Sequence, residues 1–135
     1  MRVVDLTETF GRFADAWSPK IVGDVNDMHV KVVKLRGEFV WHHHDAEDEL
    51  FLVVAGRLRM QLRDGDRDVG PGQFIIVPRG IEHCPKALSA EVHVVLLEPK
   101  GMSAPWSTWT GCSQERQRRC SKAARAVTPL ATATV

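Results

Sequence analysis

Three consecutive histidines, His42, His43 and His44, are followed within a few residues by the acidic cluster Asp45, Glu47, Asp48 and Glu49. Successive side chains of an extended chain point to opposite faces, so His42 and His44 share one face and His43 takes the other. Asp45-Ala46-Glu47-Asp48 has the composition of a turn, and Glu49 opens an apolar run from Leu50 to Ala55. A hairpin at that turn would return Glu49 beside the two imidazoles. Two imidazoles and a carboxylate, completed by a fourth ligand from elsewhere, form a mixed nitrogen and oxygen site. Such a site suits a divalent transition metal: Mn, Fe, Co, Ni, Cu or Zn.

A second stretch, GQFIIVPRGIEHCP from Gly72 to Pro85, offers that fourth ligand. Pro78-Arg79-Gly80 reads as a tight turn in which Gly80 can take a positive φ, and His83 begins the strand that returns. Together the two stretches resemble the cupins, whose first motif runs G-x5-H-x-H-x(3,4)-E-x6-G and whose second runs G-x5-P-x-G-x2-H-x3-N. Both are matched in order, with fifteen residues, Arg57 to Pro71, between them. The resemblance implies a cupin-type double-stranded β-helix and makes His42, His44, Glu49 and His83 the metal ligands. Gly37 lies one residue nearer His42 than the pattern asks, Glu49 sits at the longer allowed spacing, and Ala87 stands where the family often has Asn.

Taken singly, these residues have plainer explanations. A run of histidines can be a solvated turn, and one histidine after a turn is more often core or surface than ligand. Spacing across both motifs outweighs them. His29 and His93 have no such support, and His93, between Val92 and Val94, reads as a core histidine with its hydrogen bonds satisfied.

The scaffold that must position these residues is all-β. Residues Asp5 to Glu8 can cap a short N-terminal helix, and Leu6, Phe10, Phe13 and Trp17 recur at helical spacing. Gly11 weakens that helix, which is expected to run about two turns across the barrel's open side. From Lys20 the period changes to two. Ile21 to Val25 and His29 to Arg36 flank Asn26-Asp27 as a hairpin, and Leu58, Met60 and Leu62 alternate with Arg57, Arg59, Gln61 and Arg63. Asp64-Gly65 turns the chain into Asp66 to Val69, and Phe74 to Val77, Ile81 to Pro85 and Glu91 to Glu98 follow as short strands. About eight to ten short strands are the pattern of a double-sheet jelly roll.

Leu50 to Val54 and Val92 to Leu97 are apolar without alternation, which predicts burial of both faces. The outer face then needs cover from the N-terminal segment or from a second subunit; homodimers are common in the family this chain resembles, and a homodimer is the expectation.

The 135 residues suit one domain. Composition changes at its end: residues 1–100 carry 13 basic and 16 acidic side chains, whereas 101–135 carry five and one. Residues 1–101 therefore read as the cupin domain, and 102–135 as a basic, disordered C-terminal tail rich in Ser, Thr, Ala and Arg. Trp106 and Trp109 among those cations could stack on nucleic acid, but no recognition motif accompanies them, so nucleic acid is not the expected partner. Cys84, Cys112 and Cys120 have neither zinc-type nor C-x-x-C spacing and read as free thiols. With no leader-like or membrane-spanning run, a cytoplasmic protein is expected.

Four protein ligands leave a six-coordinate ion up to two positions for water, oxygen or substrate. The first functional expectation is a metalloenzyme acting on a small oxygenated molecule by dioxygenase- or isomerase-type chemistry. The phosphomannose-isomerase-like label common among small cupins carries little weight, because Arg57, Arg59 and Arg63 lie opposite the apolar face of their strand and no general base declares itself. The alternative is a non-catalytic, metal-dependent binding module for a small ligand; a metal-free structural domain ranks below both. An acid or base pointing into the barrel near the metal would favour the enzyme, and a purely apolar mouth the binder.

Overall fold

The computed structural model describes residues 1–101 and the backbone of 128–129. Asp5 caps α1 (Leu6–Phe10), its Oδ1 accepting from the Glu8 N–H at 2.9 Å and satisfying an amide that the first helical turn leaves unpaired. Gly11 ends the helix after five residues, so the helical spacing is realised only as far as Phe10. The chain then becomes a strap tied to the sheet: Lys34 Nζ donates to the Phe13 carbonyl (2.6 Å), Arg36 to that of Ala14 (2.8 Å), and the Trp17 N–H to that of Lys34 (2.8 Å).

The expected hairpin forms between β1 (Lys20–Val25) and β2 (Met28–Leu35), turning at Asn26, which takes φ +52°. Then follow β3 (Glu49–Ala55), β4 (Leu58–Leu62), β5 (Arg67–Val69), β6 (Phe74–Val77), β7 (His83–Ala87) and β8 (Val92–Pro99). A two-residue strand, β9 (Thr128–Pro129), pairs in parallel with Lys20 and Ile21 of β1. One sheet has the order β6-β3-β8-β2-β1-β9 and the other β5-β4-β7. Isolated bridges Glu38↔Lys86 and His42↔His83 lay the chain before β3 alongside β7, extending the second sheet. Val33, Leu35, Phe51, Val53, Leu58, Met60, Val92, Val94 and Leu96 fill the space between the sheets. This is an all-β jelly roll.

Gly56 joins β3 to β4 at φ +80°, and a Cβ there would lie 2.4 Å from the Glu91 carbonyl oxygen, so no side chain fits.

Two expectations need correction. The helix does not cross the open side of the barrel; Phe10 packs with Val22 and Val32 on the outer face of the six-stranded sheet, with Leu6, Phe13, Val54 and Val95 around them. β3 and β8 alternate buried with half-buried residues rather than burying both faces equally. The N-terminal segment covers part of the outer face, which is why alternation in burial survives in strands whose composition does not alternate. Toward β6 the apolar face is open: Phe74 is 60% exposed and Ile76 51%, opposite half-buried Leu52 and Leu50. Cys84 is buried and forms no disulfide among the described residues. Cys112, Cys120, Trp106, Trp109 and nearly all of the expected tail lie outside the described residues.

Candidate metal centre

The backbone brings the histidines together first. His42 and His83 face each other across an antiparallel bridge, with N–H to carbonyl hydrogen bonds in both directions at 3.0 and 2.9 Å. The turn before His83 is anchored to the first motif, because the Gly80 N–H donates to the His44 carbonyl (2.6 Å) and Gly80 takes φ +79°. Glu49, the first residue of β3, comes from the other sheet. Residues 45–48 therefore cross between sheets rather than forming a hairpin, since β3 pairs with β6 and β8 and the segment before it lies against β7. Glu49 nevertheless arrives beside the histidines.

His42, His44, Glu49 and His83 are all buried, and one ligand atom from each lies within 4.8 Å of the others. His43 alternates outward as expected, its Nε2 3.0 Å from Asp45 Oδ1. A carbonyl oxygen can only accept, so the contacts of His42 Nδ1 with the Val40 carbonyl and of His83 Nδ1 with the Ile81 carbonyl, both 2.9 Å, place the proton on Nδ1. Each ring then carries its lone pair on Nε2. His83 Nε2 is fully buried, makes no hydrogen bond, and lies 3.4 Å from Glu49 Oε2. A lone pair facing a carboxylate oxygen is unfavourable unless a proton or a metal ion lies between them.

The spacing fits a metal ion. With metal–ligand distances of about 2.0–2.2 Å, neighbouring ligand atoms sit about 3.0–3.5 Å apart, and His44 Nε2 and His83 Nε2 lie 3.1 and 3.4 Å from Glu49 Oε2. Three imidazoles and a carboxylate are also a suitable donor set for a divalent transition metal. The electrostatics are consistent. Burial, then the neighbouring His83, pushes His42 down to about 3, so its ring stays neutral. Burial is the largest single influence and raises Glu49, but the hydrogen bond from His44 and the nearby His44 and His83 rings together outweigh it and hold the carboxyl well below its usual range. His44 is likewise opposed by burial yet raised by that hydrogen bond and by the charge of Glu49.

Beside these residues lies a cavity of about 40 Å³. His42 and Glu49 line it, with Trp17, Phe39 and Phe51 among its apolar walls. Trp17, at φ +57°, stacks on Phe39 with ring centroids 4.4 Å apart, and Phe39 meets His42 edge-on at 5.4 Å. The helical spacing of Leu6 to Trp17 thus ends in a residue of the cavity wall.

Two charged residues in this cavity are not evident from the motifs. Lys31 and Glu98 line it, 7% and 3% exposed, with Lys31 Nζ donating to Glu98 Oε2 at 2.6 Å. Burial, then the charge of Glu49, raises Glu98 to about 7 against the pull of Lys31. Strand phase sets Lys31 on the face of Val33 and Leu35 and Glu98 on that of Val92, Val94 and Leu96, but in strands apolar on both sides the sequence does not mark which face is the inner one. His93 is indeed satisfied, but on the half-buried outer side, where it contacts Glu91 at 2.7 Å and stacks on Phe10. His29 pairs with Asp24 at 2.6 Å. Neither touches the cluster.

Comparison with known proteins extends these observations. A family model described as Cupin domain matches residues 29–100, which include all four clustered residues. A cupin-2 domain containing protein from Shewanella frigidimarina is 37% identical, with a TM-score of 0.71 over 73% of this chain and 95% of its own. KdgF from Halomonas sp. is 28% identical with a TM-score of 0.53, over 61% of this chain and 79% of its own. An uncharacterized Bacillus subtilis protein, YdbB, is 35% identical over 63 residues, or 46% of this chain, and that match spans 56% of its own length.

Proposed function

The chain belongs to the cupin family, and on that premise we propose that it is a metalloenzyme. His42, His44, His83 and Glu49 hold a divalent transition metal, and the adjoining cavity takes a small oxygenated molecule for dioxygenase- or isomerase-type chemistry. The observation that carries this reading is the buried Nε2 of His83, without a hydrogen bond and directed at Glu49. A bound ion would supply Lewis-acid polarisation of a substrate oxygen or, if redox-active, activation of dioxygen.

The chain's own residues do the rest. The Val40 and Ile81 carbonyls hold His42 and His83 with their lone pairs inward, and Glu49 contributes the negative charge. Phe39, Phe51 and Trp17 give the cavity apolar walls, which lower the local dielectric and strengthen the electrostatic contacts beside them. Lys31 offers a donor and Glu98 an acceptor to whatever enters. Their presence favours the enzyme over the binding module, for which an apolar cavity would be the mark. A phosphorylated sugar is disfavoured: Arg59 and Arg63 pair with Asp68 and Glu82, and Lys31 is the one cation among the residues lining the cavity.

Elemental analysis of the isolated protein tests the metal, and a substrate screen tests turnover. About one ion per chain, lost in Glu49→Gln, is expected; wild type that holds no ion even after reconstitution would overturn the reading, and metal without turnover would favour the binding module. We extend the proposal to organisation. Residues 1–101 form the domain, the protein is cytoplasmic, and the open face around Phe74 and Ile76 joins a second copy. Among the described residues no helix is long and apolar enough to cross a membrane.

A further inference from the structure

Lys31 is a buried cation in a cavity whose walls are mostly apolar, and the metal site alone does not require it. With a divalent ion on Glu49 the formal charges there are two positive and one negative, and the Lys31–Glu98 pair adds zero. A buried region left with one net positive charge favours a monoanion, because an uncompensated charge in low dielectric is costly. The cavity is small, about 40 Å³, and Lys31 is the one lysine or arginine among the residues lining it. Lys31 has three N–H donors, and its hydrogen bond to Glu98 uses one. That bond also fixes a side chain that would otherwise lose much rotamer freedom on binding a ligand.

We propose that the cavity accepts a small monocarboxylate, or the carboxylate head of a larger molecule, and that Lys31 is the residue that selects it by donating to a carboxylate oxygen. Glu98 positions the ammonium and repels a second negative charge, so monoanions are preferred over dianions. This inference rests on the metal-centre reading above and names the substrate class of that site.

The test uses the full chain loaded with Co²⁺, whose visible spectrum reports ligands near the ion without any turnover. Acetate and acetamide, nearly identical in shape but differing in charge, are titrated against wild type, Lys31→Met, Lys31→Arg and the double variant Lys31→Met/Glu98→Gln. In wild type and Lys31→Arg, acetate is expected to bind at least about tenfold more tightly than acetamide, a difference of about 1.4 kcal/mol. That ratio should fall to within about twofold in Lys31→Met or, if that variant does not fold, in the double variant, with Co²⁺ still held. Equal binding of the two probes to wild type, or no spectral response to either, overturns the proposal. So does an acetate preference that survives loss of Lys31, because the ion alone would then select the anion. Failure of wild type to hold Co²⁺ overturns the metal-centre reading, and this inference with it.

Discussion

Replacing Lys31 by Met removes one partner of the buried pair, and the consequence for stability depends on pH in a direction that can be worked out beforehand. In wild type, Glu98 is raised from 4.5 to about 7, so the folded state holds its proton more tightly than the unfolded state. Its contribution to stability is full below pH 4.5, is lost as pH rises to about 7, and is flat above that. Lys31 pulls this pKa down, so without it the folded value lies higher and the loss continues past pH 7. Each further pH unit costs about 1.4 kcal/mol. The stability difference between wild type and Lys31→Met should therefore widen between pH 7 and 8.5, by at most about 2 kcal/mol, within the 3–5 kcal/mol expected when a buried ion pair loses one member. Urea denaturation of both proteins, stripped of metal with a chelator and measured at pH 5, 7 and 8.5, gives the difference directly. Contributions from His42, His44 and Glu49 are common to both proteins and largely cancel. A difference that stays constant across this range would refute the assignment of Glu98 as a carboxyl held up by burial beside Glu49. The same widening in Lys31→Met/Glu98→Gln would refute it too, since no carboxyl remains there to titrate.

Further outcomes follow from the same structure. His42→Ala, His44→Ala and His83→Ala should each lower bound metal by an order of magnitude or more, while His43→Ala leaves it near the wild-type level; equal loss in His43→Ala, measured by elemental analysis, would mean the strand phase is wrong. A chain ending at Gly101 should stay folded and hold metal, because the pairing it loses among the described residues is the two-residue strand Thr128–Pro129, and insolubility or metal loss would count against 1–101 as the domain. Phe74→Glu, on the exposed face of β6, should convert a dimer to a monomer in light scattering without lowering metal content, and a wild type already monomeric at micromolar concentration would remove the dimer proposal. Metal affinity should weaken on mild acidification with fewer than three protons taken up per ion lost, because His42 stays neutral down to about pH 3 and His44, raised by Glu49, is protonated early; potentiometric titration yielding three protons would contradict that order.

Much of the site is legible in the chain because its chemistry is local to two short stretches. His42 and His44 fall on one face through the alternation of an extended backbone, and that alternation holds although only His42 of the segment makes a ladder bridge. The Pro78-Arg79-Gly80 turn places His83 because Gly80 adopts the positive φ and donates to the His44 carbonyl, both local preferences of a glycine turn. The path to Glu49 is less legible. A polar tetrapeptide such as Asp45 to Asp48 serves equally as a hairpin turn or as a crossing between sheets, and long-range pairing with β6 and β8 decides which. The extent of α1 is a similar case: periodicity continues to Trp17, but Gly11 ends the helix and the strap beyond it is fixed by hydrogen bonds to Lys34 and Arg36. Lys31 and Glu98 escape motif reading for a different reason. On strands apolar on both sides, a charged residue does not declare its face, and only the register that sets Lys31 opposite Leu96 and His29 opposite Glu98 shows that both point inward.

The four clustered residues are not equivalent, and the difference follows from how each is held. His42 and His83 take their tautomer from the backbone: each donates from Nδ1 to the carbonyl two residues before it, and the two backbones are locked by reciprocal hydrogen bonds. Their Nε2 lone pairs are thus directed inward before any ion arrives, which limits the reorganisation that binding requires. His44 and Glu49 are held by each other, through a hydrogen bond that an ion must replace, since His44 Nε2 cannot donate a proton and a lone pair at once. An ion held here would therefore take the place of one proton at His44, whose Nε2 lies 3.1 Å from Glu49 Oε2, while His42 and His83 would supply lone pairs already set inward. The backbone-locked pair would thus set the position of a bound ion, and the His44–Glu49 pair the pH at which it could enter.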